Sequence, residues 1–153
     1  MKVFKVFLVF LILNFGALAI GHLLMNGEQQ SSWYLDFNKA PWTPPGWAFG
    51  VAWTFIMFCF SIYMTELYLA SKTKQLKVLF AAHLVLNMGW SYIFFNQHAV
   101  AMGFVVLSLL TLLIFFFLIS YQKRLKLKSL LILPYFSWLC VATSLNLYIV
   151  LNN

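Results

Sequence analysis

The sequence predicts an all-α integral membrane protein, a bundle of five transmembrane helices, and three observations lead to this fold class. Of its 153 residues, 63% are hydrophobic and only 8% are charged, whereas a soluble domain carries about 25% charged residues. The hydrophobic residues form five uninterrupted stretches. The basic residues are concentrated between those stretches, as in proteins whose loops set their orientation in a membrane.

The five stretches predict helices at residues 6–25, 47–69, 78–95, 100–119 and 130–151. At about 1.5 Å per residue, each of them can cross a hydrocarbon layer of about 30 Å. They are continuously apolar and do not alternate, which favours helices over β-barrel strands. Because they occupy most of the chain, we expect residues 1–153 to form a single membrane domain.

The beginning of the first helix resembles a secretory signal. Lys2 and Lys5 come first, and Ala17-Leu18-Ala19 resembles a signal-peptidase site. The apolar stretch nevertheless continues past that site to residue 25. We therefore expect residues 1–19 to be retained as part of a helix, with a cleaved signal as the alternative.

The distribution of Lys and Arg predicts the orientation of the helices. With five spans, the N-terminus and the connections at 70–77 and 120–129 lie on one side, and the other side has only Lys39. The first side carries nine basic residues: Lys2, Lys5, Lys72, Lys74, Lys77, Lys123, Arg124, Lys126 and Lys128. Because basic loops stay in the cytoplasm, we expect a cytoplasmic N-terminus and an outside C-terminus. No basic face exists apart from these connections, so nucleic-acid binding is not expected.

The outer loop at residues 26–45 is long for so compact a chain. Connections of this length are usually functional or disordered, and the tryptophans and prolines of this one argue against disorder. Thr43 is placed to cap the second helix, with prolines in its first turn, where a missing N–H costs nothing. We expect an ordered loop that acts as a lid over a site in the bundle.

Two of the predicted helices carry polar and aromatic residues on one face each. These faces are His83, Asn87, Trp90 and Phe94 on the third helix, and Trp138, Ala142 and Asn146 on the fifth. An asparagine that faced lipid would leave donors and acceptors unpaired at a cost of several kcal/mol. Asn87 and Asn146 should therefore face the bundle interior. For either asparagine alone, a simple hydrogen bond between helices is the alternative role.

Three tryptophans lie deeper than the aromatic belt that marks a membrane surface. Trp53, Trp90 and Trp138 lie about 10, 10 and 20 Å from the outer ends of their helices. Together with the two asparagines, they predict a shared aromatic pocket in the outer half of the membrane, beneath the 26–45 loop. Indole faces stack on planar π-systems and amides orient a polar edge, so the pocket suits a flat, mostly apolar ligand.

Conventional catalysis and metal binding find little support in the sequence. The acids are Glu28, Asp36 and Glu66, and the histidines are His22, His83 and His98. The histidines lie on separate segments with no second ligand at i+3 or i+4, and no nucleophile has a visible base. We therefore expect no metal site and no required cofactor.

Three ordered segments resemble motifs of the TspO/MBR family, which comprises the mitochondrial translocator protein and the bacterial tryptophan-rich sensory proteins. They are Pro41-Trp42-Thr43-Pro44-Pro45-Gly46 followed by Gly50 and Trp53; Leu86-Asn87-x-x-Trp90 with Phe94-Phe95; and Pro134-Tyr135-x-x-Trp138-x-x-x-Ala142-Thr143-x-Leu145-Asn146. The resemblance extends from about Trp33 to the C-terminus. It includes the chain length, the number of spans and the long first loop.

The resemblance implies a five-helix bundle, usually dimeric, whose pocket opens toward the first loop and binds porphyrins such as protoporphyrin IX. Seven residues match pocket positions of the family: Tyr34, Trp53, Asn87, Trp90, Trp138, Ala142 and Asn146. Some bacterial members are linked to light- and oxygen-dependent porphyrin breakdown. Trp53 and Trp138 match the tryptophans implicated in that photochemistry, so they are the candidate catalytic residues, with Tyr34 above them.

The resemblance leaves open whether porphyrin binding serves transport, sensing or light-dependent degradation. The alternative is a tetrapyrrole-responsive regulator or scaffold that acts through a protein partner. The family's cholesterol motif needs a basic residue after Tyr148, and residues 149–153 contain none. This departure counts against cholesterol and favours a bacterial-type member in the cytoplasmic membrane. The expected partners are a porphyrin, membrane lipid and a second copy of the chain.

Overall fold

The computed structural model describes residues 2–153 and consists of long helices. The five long α-helices are α1 (Lys2–Leu24), α2 (Gly46–Ala70), α3 (Lys74–Ser91), α4 (Val100–Leu125) and α5 (Leu133–Asn152). Within residues 2–153, four continuous helical segments are long and apolar enough to cross a membrane, and the last of these, Val100–Asn152, contains both α4 and α5. The predicted all-α membrane fold is confirmed.

The last segment makes two crossings because the chain reverses within it. Its 53 residues would measure about 80 Å as one straight helix, far more than a bilayer. A 3₁₀ connection, Lys126–Ile132, follows α4, and Lys126 has a φ of 53° there. Helix α5 then runs back beside α4, as the 2.9 Å contact between the Oγ1 atoms of Thr111 and Thr143 shows. The bundle therefore has five crossings.

Several helix ends differ from those expected from hydropathy. Helix α4 continues six residues beyond 119, to Leu125, because hydropathy marks the lipid-embedded part of a helix and backbone hydrogen bonding does not stop at the membrane surface. Helix α3 begins at Lys74 for the same reason, and it ends in a π-helical turn, Tyr92–Asn96. Thr43 does not cap α2: Pro45 holds that position, and the Thr43 hydroxyl donates to the Ala40 carbonyl.

The five helices form a closed ring in the order α1, α2, α5, α4, α3 and back to α1. Each pair of neighbours has an identifiable contact. In ring order these contacts are Asn14–Ser61, Trp53–Tyr135, Thr143–Thr111, Phe94–Gly103 and Ser91–Gly21. Because α3 and α5 lie on opposite sides of this ring, side chains that they both direct inward can meet in its centre.

Aromatic side chains fill the centre of the bundle at the level of the middle of α2. Phe60, Tyr63 and Phe117 are fully buried there, and the Tyr63 hydroxyl donates to the Phe117 carbonyl at 3.0 Å. Lipid tails are as apolar as these side chains, so close packing and internal hydrogen bonds hold such a bundle together. At the far end from the 26–45 loop, Lys128 and Glu66 form an ion pair with 2.7 Å between Nζ and Oε2.

Candidate functional site

A buried hydrogen bond across the ring forms the floor of the candidate site. Nε2 of His83 on α3 lies 2.8 Å from the hydroxyl of Tyr135 on α5. The Phe60 ring covers both partners, with centroid distances of 4.7 Å to His83 and 5.2 Å to Tyr135. All three side chains are fully buried. We call His83, Tyr135 and Phe60 the floor, and the side of the bundle that carries residues 26–45 the loop side.

The predicted site residues of α3 and α5 lie on the loop side of this floor. Asn87 and Trp90 are about 6 and 10 Å beyond His83 along α3, given the rise of a helix. Ala142 and Asn146 are about 10 and 16 Å beyond Tyr135 along α5. Asn87 and Asn146 are buried, as their spacing with the tryptophans predicts. These residues therefore surround a layer of the bundle that we call the chamber.

The chamber layer contains polar atoms that are buried and unpaired. Within residues 2–153, Nδ2 of Asn87, Nε1 of Trp90, Nε1 of Trp138 and both side-chain polar atoms of Asn146 have no hydrogen-bond partner. Leaving a buried polar group unpaired costs about 1–3 kcal/mol. Such atoms need a ligand or water to pair with them. Four of the five are N–H donors, so the layer is built for a molecule rich in acceptors.

The three deep tryptophans pack against different aromatic neighbours. Trp53 meets Tyr135 edge-to-face at a centroid distance of 5.9 Å. Trp138 meets Phe49 in the same way at 5.3 Å, and Trp90 stacks on Phe94 at 5.6 Å. All three remain partly exposed while packing against the main core. Their indoles are thus distributed around the chamber.

Three aromatic side chains of the outer loop form a roof on the loop side. Trp33, Tyr34 and Phe37 pack in one cluster with Phe94, Phe95 and Ile149. The Tyr34 ring is 5.2 Å from Phe95 and 6.3 Å from Phe94, and burial raises the pKa of the Tyr34 hydroxyl. Nζ of Lys39 lies 4.3 Å from the centre of the same ring. Tyr34 is therefore above the chamber, separated from it by Phe94 and Phe95.

Besides this aromatic packing, polar contacts attach the loop that carries the roof to the rest of the structure in three places. Glu28 Oε2 lies 3.2 Å from His98 Nε2. Trp42 Nε1 donates to the Ser144 hydroxyl at 3.1 Å. Between these two positions, the backbone of Asn38 forms hydrogen bonds with Asn153. These attachments make the loop an ordered cover rather than a free segment.

A cavity of about 230 Å³ lies between α2 and α5. It is lined by Ala52, Phe55, Ile56, Pro134, Ser137, Trp138 and Val141. Ligand pockets usually measure about 300–1,000 Å³, so this space is small for a macrocycle. It reaches Trp138, but Asn87, Trp90 and Asn146 do not line it. A large planar ligand would therefore require α2, α5 or the roof to move.

Sequence reasoning placed His83 on the inward face of the third helix but did not pair it with Tyr135. The signal was present, because His83 lies one turn before Asn87 and Tyr135 lies three residues before Trp138. It also did not identify Trp33 and Phe37 as parts of the roof. Nothing in a single sequence shows which loop aromatics meet Phe94, since that depends on the path of the loop.

Comparisons with known proteins agree with this architecture. The sequence profile of the TspO/MBR family matches residues 7–151. The chain is 33% identical to the tryptophan-rich protein TspO of Archaeoglobus fulgidus, over 89% of this chain and 91% of that protein.

More distant relatives include the tryptophan-rich sensory protein of Cereibacter sphaeroides, which is 29% identical over 92% of this chain and 86% of its own. The human translocator protein is 27% identical over 83% of this chain and 78% of its own. The family profile covers nearly the whole bundle, including the floor, the chamber and the roof. The chain therefore belongs to the TspO/MBR family.

Proposed function

We propose that this integral membrane protein binds a tetrapyrrole, protoporphyrin IX or a close relative, in the chamber between the floor and the roof. The observation that carries the proposal is the set of unpaired polar atoms on Asn87, Trp90, Trp138 and Asn146. A ligand that forms hydrogen bonds with these atoms would remove the free-energy cost of burying them unpaired. The macrocycle would stack on the indoles of Trp53, Trp90 and Trp138, with Ala142 leaving room beside it and Tyr34 in the cover.

The ratio of four donors to one acceptor supports a porphyrin over a sterol. Protoporphyrin IX has two carboxylate side chains that accept several hydrogen bonds, whereas a sterol offers one hydroxyl. Charge-assisted hydrogen bonds to carboxylates are also stronger than neutral ones. We therefore expect the free acid to bind more tightly than its dimethyl ester. Equal binding of acid and ester would contradict this assignment of the donors.

Quenching of tryptophan fluorescence by protoporphyrin IX tests the position of the chamber. Replacing both Trp53 and Trp138 by Phe should reduce the quenching and raise the dissociation constant read from the porphyrin's own absorbance, while Trp90 continues to be quenched. Trp47→Phe is the matched control, because Trp47 is 73% exposed at the beginning of α2 and should change neither. Unchanged quenching in the double variant would contradict the proposed site.

Leucine substitutions test the role of the asparagines. Asn87→Leu and Asn146→Leu should each weaken porphyrin binding by about tenfold. One lost hydrogen bond costs about 1.4 kcal/mol, which corresponds to a tenfold change in the dissociation constant. Asn152→Leu is the control, because the Asn152 amide is exposed and donates only to the Tyr148 carbonyl of its own helix. An equal effect of all three substitutions would indicate a general loss of packing.

Light-dependent degradation of the bound porphyrin is a second candidate function. It is favoured by the position of Trp53 and Trp138 beside the chamber, because an indole next to an excited macrocycle can give it an electron. The test is illumination of the complex under air. If the porphyrin absorbance decays faster in the complex than in free porphyrin, the protein is an enzyme. An equal rate of decay would mean that the protein only binds porphyrin.

The names of two relatives, a sensory protein and a translocator protein, support sensing or transport instead.

A regulatory role through a protein partner is tested by recovering the proteins that bind this chain with and without porphyrin. A change in their identity or amount when porphyrin is added would support that role.

We further propose a homodimer in a bacterial cytoplasmic membrane, with the N-terminus inside. The nine-to-one division of basic residues supports the orientation. For the dimer, Cβ atoms added at Gly46 and Gly50 would meet nothing within 4 Å among residues 2–153 other than their chain neighbours and their own helix backbone, so this face of α2 is open to a second copy. Crosslinking and fusion reporters at both termini test these two points.

A further inference from the structure

The buried pair in the floor, Tyr135 and His83, is not among the residues proposed to bind the ligand. Tyr135 lies at the junction of two contacts, edge-to-face with Trp53 at 5.9 Å and hydrogen-bonded to His83 at 2.8 Å. Trp53 lies beside the chamber and contacts the Tyr135 ring, whereas His83 contacts the Tyr135 hydroxyl. A phenol placed between an oxidised indole and an imidazole can give an electron to the indole and a proton to the imidazole.

The direction of the hydrogen bond follows from the remaining polar atoms. Nδ1 of His83 has no partner within residues 2–153. If the Tyr135 hydroxyl donates to Nε2, only the Nδ1 proton is left unpaired. If Nε2 donates instead, both the phenol proton and the Nδ1 lone pair are left unpaired, and each costs free energy when buried. Tyr135 is therefore the donor, and Nε2 is free to take its proton.

The surroundings of His83 can hold the positive charge that such a transfer creates. The Phe60 ring lies 4.7 Å from the imidazole, and the Phe80 ring stacks on it at 5.7 Å. Aromatic rings within about 6 Å attract a cation through their quadrupoles. The floor thus contains a proton acceptor, together with aromatic faces that offset part of the cost of burying its protonated form.

We propose that Tyr135 and His83 form a proton-coupled relay that reduces oxidised Trp53. The relay rests on the proposed function, because the oxidant is a photoexcited tetrapyrrole in the chamber. The macrocycle takes one electron from Trp53, giving a macrocycle radical anion and an indole radical cation. Tyr135 then gives one electron to the indole while its phenol proton moves to Nε2 of His83. The products are neutral Trp53, a neutral Tyr135 phenoxyl radical and a His83 imidazolium.

The relay moves the oxidising equivalent one residue away from the macrocycle. The macrocycle radical anion then survives long enough to give its electron to dioxygen, forming superoxide. The cycle closes when the phenoxyl radical takes back one electron, from superoxide or from the reduced macrocycle, together with the proton held by His83. Tyr135 contacts both Trp53 and His83. Neither Tyr135 nor His83 is among the residues proposed to bind the ligand, so both are positioning and relay residues rather than catalytic ones.

Electron paramagnetic resonance after illumination tests the relay in the complex with protoporphyrin IX. Freeze-trapped wild-type protein should show a tyrosyl radical, identified by the collapse of its hyperfine structure when the protein contains ring-deuterated tyrosine. Tyr135→Phe should lose that signal and show a tryptophanyl radical instead. His83→Gln retains a hydrogen-bond acceptor but no base, so it should also lose the tyrosyl signal. A tryptophanyl radical as the sole product in wild-type protein would overturn the relay.

Tyr63→Phe is the matched control. Tyr63 is as buried as Tyr135 and packs on the same Phe60 ring, but its hydroxyl donates to a backbone carbonyl, which cannot accept a proton. It should leave the tyrosyl signal unchanged. The wild-type protein should also form its tyrosyl radical more slowly in heavy water, and this measurement needs no variant to fold. No isotope effect would count against a coupled proton.

A second arm separates failure of the relay from failure of the proposed function. Ultraviolet flash excitation of the protein without porphyrin generates tryptophanyl radicals directly. Their conversion to a tyrosyl radical should occur in wild-type protein and be lost in both Trp53→Phe and Tyr135→Phe. If tryptophanyl radicals convert to a tyrosyl radical but the protein does not bind porphyrin, the relay is supported and the proposed ligand is refuted. Porphyrin bleaching with no conversion in either arm would refute the relay alone.

Discussion

Asn153 holds the backbone of Asn38 by two hydrogen bonds, joining the residue after α5 to the outer loop. Its Oδ1 accepts from the Asn38 N–H at 2.8 Å, and its Nδ2 donates to the Asn38 carbonyl at 3.2 Å. The same Nδ2 also donates to the Ile149 carbonyl at 3.0 Å. Ile149 packs in the roof cluster. One side chain thus fixes the loop with respect to the helix that carries Asn146.

Asn153→Ala should therefore loosen the roof without disturbing the floor. We expect faster hydrogen exchange at the Asn38 amide and faster porphyrin dissociation, because opening of the loop no longer breaks two hydrogen bonds. Asn152→Ala is the control, since its side chain bonds only within α5. Equal exchange at Asn38 in wild-type protein and Asn153→Ala would mean that other attachments hold the loop alone.

Gly103→Ala should destabilise the contact between α3 and α4. A Cβ at this position would lie 3.0 Å from both Cβ and Cδ2 of Phe94, so the Phe94 ring must shift, and it is stacked on Trp90. We expect a loss of about 1–3 kcal/mol in unfolding free energy, the usual cost of overpacking, together with weaker porphyrin binding. The measurement is thermal or denaturant unfolding in a constant detergent.

Gly89→Ala provides the control for this substitution. An added Cβ there meets no atom of residues 2–153 outside its own helix backbone within 4 Å. Alanine in a helix interior should be neutral or more stable by about 0.5–1 kcal/mol. A similar loss of stability in both variants would show that the Phe94 contact is not the cause.

Acid should weaken the attachment of the outer loop at Glu28. The neighbouring Ser31 hydroxyl and a hydrogen bond with His98 hold the pKa of the Glu28 carboxyl below its usual 4.5. A lowered pKa in the folded state means that the ionised form stabilises the fold. This stabilisation is fully present above the usual value and is lost as the pH falls through the lowered one.

The fluorescence of Trp33 reports this change, because its ring is stacked on His98 at 4.0 Å. We expect the Trp33 fluorescence of the wild-type protein to change as the pH falls below 4.5. This change should be absent in Glu28→Gln. His98→Gln should shift the midpoint upward, since it removes one of the bonds that favour the carboxylate. A transition of the same size in Glu28→Gln would assign it to another group.

The hydrogen bond between α1 and α2 should contribute little stability. Nδ2 of Asn14 donates to the Ser61 hydroxyl at 2.9 Å, and both side chains are buried. Hydrogen bonds inside membrane bundles average about 0.6 kcal/mol. A double-mutant cycle of Asn14→Ala and Ser61→Ala should give a coupling energy of that size. A coupling near zero would leave close packing as the link between these helices.

The membrane fold class and the inward faces were predictable because they depend on local chemistry. A continuously apolar stretch can satisfy its backbone in lipid only as a helix. An asparagine in such a stretch must turn inward, and Asn87 and Asn146 do. By contrast, hydropathy misplaces the beginning of α3 and the end of α4, because polar residues such as Lys74, Lys123 and Arg124 remain helical beyond the apolar stretches.

The partners of the inward side chains were not predictable in the same way. Whether His83 meets Tyr135 depends on the ring order that places α3 opposite α5. Whether Tyr34 covers Phe95, and Asn38 meets Asn153, depends on the path of the outer loop. These distances arise from contacts between segments far apart in the chain, which local periodicity does not encode.

By itself, the sequence determined that the chain crosses a membrane as helices, which faces turn inward, and that tryptophan and asparagine accumulate near one loop. The physical reason is that burial of polar groups in lipid is costly at every position separately. Only the tertiary structure decided how the five helices close into a ring, that a histidine–tyrosine bond forms the floor, and that the chamber's unpaired atoms are mainly donors. Those features depend on the relative positions of helices, and packing of the whole bundle sets them.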